Sequence, residues 1–551
     1  MKTAPNGQKL RGGFYTPPEI AEFLVNWAIQ KPTAKILEPS CGDGVFFQPI
    51  ITRLSQLGAS KKSISNQITA VELDEIESKK AFGYLGNLIG VKSLPNTYTG
   101  DFFAQINWHL GAKRYNAIVG NPPFIRYQNF PEDYRETAFH LMRTVGLHPT
   151  KLTNAWLPFV AMCTDLLAEN GRIAMVVPAE LLQVNYAAEL RQFLHDRLDH
   201  LTIITFRYLV FKNILQEVVL ICGERNGGFN KGIRIIEIDD IKDLKHFIHP
   251  PFEPHVLNPM DHSKEKWTQY FLAQEQNQLI RKMLAYPGLH KLGQLADVDV
   301  GIVTGLNDFF VLNNNQMKDI GAEHFKTLLV SRSGHLKGGI EFTKKDWHNN
   351  VKDNLPAYLL TIPATPLKTL PPSLSNYIKE GQAKGYHEGY KCRIRDPWYQ
   401  VPSIWIPDAF MLRQIHDYPK IIVNSANATS TDTIHRVRLH EGTNVKQLAG
   451  SFFNSLTFAF AEIFGRSYGG GVLELEPSEA ERLPIPYDSA KNLDFEKLNG
   501  LIRDGKSKKA LEYCDSTLLI KGLGLKHEEV SQLQKAGELL RNRRLNRKPQ
   551  K

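Results

Sequence analysis

Short apolar runs separated by amphipathic stretches fill the first half of the chain. Runs at 35–38, 68–74, 97–99, 115–119, 172–177, 201–206 and 217–222 are apolar over three to seven residues and read as buried strands. Between most of them lie helical patterns, such as Val45 to Leu57. Alternation of this kind to about Asp240 predicts a doubly wound α/β sheet. The Pro-rich stretch from His249 to Pro259 interrupts it as a linker or surface loop. Beyond that point short strands and turns are frequent, and from Leu493 the pattern turns helical. The expected organisation is therefore an α/β domain over 1–245, a mixed α/β domain over 246–490 and a helical segment with a basic tail over 491–551.

The strand ends carry the candidate chemistry, because open α/β sheets bind ligands at the carboxyl ends of their strands. Tyr115-Asn116-Ala117-Ile118-Val119-Gly120 runs directly into Asn121-Pro122-Pro123-Phe124. Two prolines fix the backbone and remove two N–H donors, so this turn offers carbonyl acceptors and one Asn amide. That suits an sp² amine such as the exocyclic amine of adenine. Acceptors at the Asn121 side chain and the Pro122 carbonyl would draw its hydrogens out of plane and expose the lone pair, with Phe124 stacked on the ring. A Pro-Pro turn capping a core strand is the plainer alternative for these four residues alone. Upstream, Leu37-Glu38-Pro39-Ser40-Cys41-Gly42-Asp43-Gly44 takes a strand into a glycine turn where a ligand can approach the backbone. It lacks G-x-G-x-x-G spacing, so a pyrophosphate is a poor fit. Val71-Glu72-Leu73-Asp74 and Thr99-Gly100-Asp101-Phe102 are further strand ends bearing acids, placed to take ribose hydroxyls. Together these boundaries describe a nucleoside-shaped cofactor site.

In this order, Gly13-Phe14-Tyr15-Thr16-Pro17, the Glu38 turn, Glu72, Gly100-Asp101-Phe102 and Asn121-Pro122-Pro123-Phe124 resemble the motif series of gamma-group, TaqI-like adenine-N6 DNA methyltransferases. The match is dense over about 13–225 and continues in Asn154-Ala155-Trp156, Gly171 to Ala179 and Val210-Phe211-Lys212. The resemblance implies a class I methyltransferase fold and S-adenosyl-L-methionine as cofactor. It assigns cofactor contacts to Tyr15, Thr16, Pro17, Glu38, Pro39, Ser40, Cys41, Gly42 and Asn121, the ribose to Glu72, and the cofactor's adenine to Asp101 and Phe102. Pro122 and Pro123 complete the catalytic turn with Asn121 and Phe124, and the resemblance places Phe211 beside a flipped target base. Phe at position 124, where many members have Tyr, keeps the stacking face.

Composition adjusts the picture only slightly. A chain of 551 residues exceeds one core, and a formal charge of +10 favours a polyanionic partner. Five dispersed cysteines and eighteen histidines show no metal-ligand spacing, and an odd number of cysteines favours a reduced, cytoplasmic chain. No apolar stretch reaches membrane-spanning length. Double-stranded DNA is the expected partner. Candidate contacts are Lys391, Arg393 and Arg395, alternating along an expected strand and followed by Tyr399, together with Arg466 and Tyr468 beside three glycines. Val300 to Phe310 resembles the opening of the family's recognition domain. The basic tail from Lys535 to Lys551 adds sequence-independent affinity at most. The expected activity is site-specific adenine methylation that protects DNA from a separately encoded restriction endonuclease. An RNA base or a protein glutamine amide, which also offer an sp² amine, are the alternative substrates.

Overall fold

A computed structural model of the chain describes residues 16–208, 210, 217–225, 231–247, 257–258, 266–468 and 471–546. The chain divides into two compact units, Met1–Ala273 with Asn546–Lys551 and Gln274–Leu545.

The first unit is built on an eight-stranded sheet. Its strands are β1 (Ile36–Glu38), β2 (Ile68–Glu72), β3 (Thr97–Thr99), β4 (Tyr115–Gly120), β5 (Leu167–Pro178), β6 (His200–Phe206), β7 (Val218–Arg225) and β8 (Gly232–Ile238), in the order β3-β2-β1-β4-β5-β7-β6-β8. β1 to β5 are parallel, β7 runs antiparallel between β5 and β6, and β8 pairs parallel with β6. All seven expected strands are present, while β8 is an edge strand the apolar runs did not reveal. The boundaries that move by more than one residue are those of β2, which stops at Glu72 because Asp74 turns away to cap a helix, of β5, which extends beyond 172–177 at both ends, and of β7, which runs on to Arg225.

Successive residues of each strand enter opposite cores, as the pleat requires. Ile36, Ala117, Val119, Ala174 and Val176 face the side covered by α1 (Pro18–Ala28), whose Ile20, Phe23 and Leu24 are buried there. Leu37, Ile118, Ile173, Met175 and Val177 face α7 (Trp156–Asp165), anchored by the fully buried Trp156. Between these lie α2 (Phe47–Gln56), α3 (Lys61–Gln67), α4 (Glu75–Ile89), α5 (Phe102–Gln105) and α6 (Glu132–Thr144), which fill the crossovers. The two helices α8 (Glu180–Gln183) and α9 (Ala188–Arg197) follow β5.

The second unit contains a five-stranded sheet of β9 (Ala296–Asp299), β10 (Glu341–Phe342), β11 (Ala409–Leu412), β12 (Ile421–Asn424) and β13 (Ile434–Leu439), in the order β9-β13-β11-β12-β10. A short helix, α10 (Tyr390–Arg393), lies in the connection before β11. Residues 491–545 lie within the second unit. α12 (His527–Leu545) packs on α11 (Ser455–Phe464), and Arg544 is buried against Glu462 at 2.8 Å. Part of the tail's charge is thereby consumed internally, since Arg541 also pairs with Asp417 at 3.2 Å. Among the described residues no helix is long and apolar enough to cross a membrane, and no group of three His, Cys, Asp or Glu could hold a metal. All five cysteines are buried thiols.

Candidate active site

The glycine turn after β1 forms the floor of the site. Gly42 (φ 51°) and Gly44 (φ 79°) occupy the left-handed region, where a side chain is strained. A Cβ at Gly44 would lie 2.6 Å from the Phe47 ring, so that glycine serves packing. A Cβ at Gly42 would meet nothing within 4 Å, so that face is open to a ligand. Glu72 holds the turn in place: one carboxylate oxygen accepts from Gly42 N at 2.7 Å and the other from Asp74 N at 3.0 Å. Cys41 N donates to Val71 O at 3.0 Å, so β1 and β2 remain joined past the strand ends.

Acids dominate this floor. Glu38 is 1% exposed, and burial pushes its carboxyl well above the ordinary range, with the Asp43 and Glu72 charges adding to the effect. Burial also raises Asp43 and Asp101, and no cation contributes to any of the three shifts. A cationic ligand would favour their charged forms. Asp101 Oδ2 accepts from Ala104 N at 2.9 Å and so caps α5, while Gly100 N donates to Glu72 O at 2.8 Å.

Phe102 differs from its expected role. Its ring is buried and stacked on Phe159 with centroids 5.1 Å apart, so it belongs to the core under the site. The exposed apolar side chain beside Glu72 is Leu73, 49% accessible, with Ile76 on the first turn of α4. An apolar residue that follows a strand-end acid and is not buried is the signal that would have identified it.

The Asn121-Pro122-Pro123-Phe124 turn abuts this floor. A Cβ on Gly120 would lie 3.2 Å from the Pro39 ring, and Ser40 Oγ donates to Asn121 O at 3.3 Å. Asn121 Nδ2 donates to Thr16 Oγ1 at 3.1 Å, which brings the segment leading into α1 onto the turn and orients the amide. Pro17 O begins α1 by accepting from Ile20 N. Pro122 is buried, and half-buried Phe124 touches both cores of the unit.

Past Phe124 the chain is clamped by Asn154 and Ala155, which lie in a stretch that continues the motif series but to which the sequence assigned no role. Ala155 N donates to Ile125 O at 2.9 Å and Tyr127 N donates to Asn154 Oδ1 at 3.0 Å. Asn154 Nδ2 in turn donates to Tyr186 OH at 2.9 Å and Glu180 Oε2 at 3.3 Å, and Tyr186 OH donates to Glu180. Burial, then the Glu180 charge, holds the Tyr186 phenol in its protonated form. Every polar atom of the Asn154 amide is thus used to fix the segment that follows the Asn121–Phe124 turn. Asn154→Ala is expected to lower the single-turnover methylation rate about tenfold, since misplacement of reacting groups is costly. S-adenosylhomocysteine affinity should change little, and a rate equal to wild type would remove Asn154 from this role.

The expected DNA contacts are placed unevenly. Lys391, Arg393 and Arg395 do not alternate along a strand: Tyr390–Arg393 is α10, with Cys392 N donating to Gly389 O, and the chain turns beyond it. Lys391 and Arg393 are exposed, whereas Arg395 is tied to the backbone of Val303 and Thr304. Tyr399 is buried, and its hydroxyl donates to Thr365 O at 2.6 Å, so it is a core residue of the second unit. Arg466 pairs with buried Glu479 at 2.9 Å. Tyr15, Phe211 and the Tyr468 side chain lie outside the described residues.

Comparison with known proteins agrees with this arrangement. Residues 1–273 match the N-6 DNA Methylase family, and residues 264–519 match the C-terminal domain of the type II methyltransferase M.Eco57I. The type II methyltransferase M.AccI of Acinetobacter calcoaceticus is 24% identical over 495 residues, covering 85% of this chain and 84% of the relative. M.XamI of Xanthomonas campestris pv. amaranthicola is 23% identical over 496 residues, covering 88% and 86%. Among solved structures, MmeI, a type IIL restriction–modification enzyme in complex with DNA, shares the fold with a TM-score of 0.60 at 13% identity, covering 96% of this chain and 75% of that one. The strand order, the Asn-Pro-Pro-Phe turn at the end of β4 and these matches agree: residues 1–273 carry a domain of the N-6 DNA Methylase family.

Proposed function

We propose that this chain methylates N6 of an adenine flipped out of a specific double-stranded DNA site, and so protects that site from a separately encoded restriction endonuclease. One observation carries the reading: the acceptor-rich Asn121-Pro122 turn and the acids Glu38, Glu72 and Asp101 stand at neighbouring strand ends of one sheet.

Bound S-adenosyl-L-methionine supplies a methyl carbon attached to a cationic sulfur. Glu72 would hold the ribose hydroxyls and Asp101 the adenine amine, with Leu73 against the ring. The Asn121 side-chain oxygen and the Pro122 carbonyl accept the two hydrogens of the target amine. This takes the nitrogen lone pair out of conjugation with the ring and makes it a nucleophile. The amine held in this way would be the acceptor for the methyl group that the bound cofactor supplies. The nitrogen then loses one proton to water. The reaction needs no base, and positioning supplies much of the rate. Phe124 supports the extruded base, since stacking on an aromatic returns roughly 1–3 kcal/mol per base.

Long-read sequencing of DNA from a host that expresses this chain tests the reading directly. N6-methyladenine should accumulate at one sequence motif, and should be absent with an Asn121→Ala variant. Unmodified adenine throughout, with the protein present and folded, would sink it.

A further inference from the structure

In the second unit two arginines are spent on backbone carbonyls, and together they join three loops into one surface. Arg395 donates to Thr304 O at 2.7 Å and Val303 O at 2.9 Å. Arg436 donates to Ser403 O at 2.9 Å and Val300 O at 3.1 Å. Gly305 (φ 84°) presses on α10, where a Cβ would come within 2.8 Å of Lys391 Cβ. Thr429 Oγ1 donates to Trp405 O at 3.0 Å and anchors the third loop. Segments 300–306, 390–395 and 403–406 are therefore held as one patch.

This patch concentrates exposed apolar surface. Tyr390 (64%), Ile394 (60%), Ile406 (44%) and Val303 (41%) are four of the six large exposed hydrophobics among the described residues of the unit. Such a cluster, costly in water, marks a contact surface. Exposed Lys391, Arg393 and Arg438 accompany it, against Asp396 at its edge and Asp299, which faces Arg436 across the β9–β13 pairing. The Arg438 guanidinium lies 4.3 Å from the Trp405 ring centroid and that of Arg436 lies 4.4 Å from it. Asp297, which faces Arg438 across the β9–β13 pairing, is engaged by His440 at 3.0 Å. Among the described residues Arg438 makes no ion pair, so its fork of donors is held by an aromatic ring and left for a partner. A partner that is anionic outside and stacked apolar rings inside fits both halves of the patch. Duplex DNA has that composition.

We propose that this patch reads the DNA site, with Arg438 donating to a base edge, Tyr390 and Ile394 touching bases, and Lys391 and Arg393 meeting phosphates. The inference rests on the DNA-methylating reading above and locates its specificity. An arginine that only meets phosphate tolerates lysine, whereas one that reads guanine with two parallel bonds does not.

The test uses the full chain and a duplex oligonucleotide carrying the motif mapped by long-read sequencing, beside duplexes changed at single base pairs. Arg438→Lys should lose roughly 10- to 100-fold in kcat/KM on the mapped motif. The loss should be smaller on the duplex changed at one base pair, so that discrimination collapses at that position while the salt slope of binding stays the same. Tyr390→Ala combined with Ile394→Ala should weaken binding at an unchanged slope, whereas Lys391→Ala should lower the slope by about one unit. Arg438→Gln, with S-adenosylhomocysteine binding and thermal melting as controls, covers the case in which the lysine variant folds poorly. Wild-type discrimination in both Arg438 variants, or a slope lowered by one unit with the motif intact, would overturn base reading. If the wild-type chain methylates no DNA, the underlying reading fails. If it does and all variants match it, only this inference fails.

Discussion

Replacing Asn121 by alanine is expected to reduce methylation about 10²- to 10³-fold, the usual loss for one positioned electrostatic contact. The effect should fall on kcat, because in the proposed reaction the amide meets the reacting amine and not the body of the duplex. S-adenosylhomocysteine should still bind, since Glu72 continues to organise the glycine turn from β2. Thr16→Val provides a graded control: it removes the hydroxyl that accepts from Asn121 Nδ2 but leaves both amine acceptors in place. It should cost less than Asn121→Ala in single-turnover assays. Equal losses in the two variants would mean that Asn121 acts through its neighbours and not on the amine.

Glu72→Ala is expected to weaken S-adenosylhomocysteine binding about 10- to 100-fold, the range for loss of hydrogen bonds to a charged group. Its carboxylate also accepts from Gly42 N and Asp74 N, so the variant loses the order of the turn as well as the ribose contact. Glu72→Gln keeps one acceptor for those backbone donors and should fall between wild type and Glu72→Ala in calorimetry. Full affinity in both would displace the ribose site from the end of β2.

The parts of this molecule that sequence exposes are those whose cause is local. β1, β2, β4 and β6 are almost wholly buried, as are the apolar stretches of β5 and β7, because both faces are covered there, and such runs stand out without any knowledge of partners. The same holds for Asn121-Pro122-Pro123, where covalent geometry sets the turn. β8 fails that test: its pattern of buried and half-buried positions belongs to an edge strand, and its partner β6 is not its neighbour in sequence. The reading of Lys391, Arg393 and Arg395 as one strand face rested on alternation over five residues, which a helical turn around buried Cys392 produces equally well. Arg395 could not be separated from Arg393 locally, since its acceptors lie about ninety residues earlier in the chain. Asn154 and Phe102 likewise take their roles from distant partners, Tyr186 and Phe159.

The order β2-β1-β4 has a consequence for how this enzyme can diverge. Glu72 and Asn121 stand at the ends of strands that are two apart, and neighbouring strands are separated by about 4.8 Å. The spacing between the backbones that carry the proposed ribose anchor and the proposed amine acceptor is thus a ruler of about 10 Å, graduated by backbone hydrogen bonds that no side-chain substitution can rescale. Selection is free to rewrite the recognition surface residue by residue while the span between handle and warhead stays calibrated. Descendants with new target sites should therefore inherit the ruler unchanged.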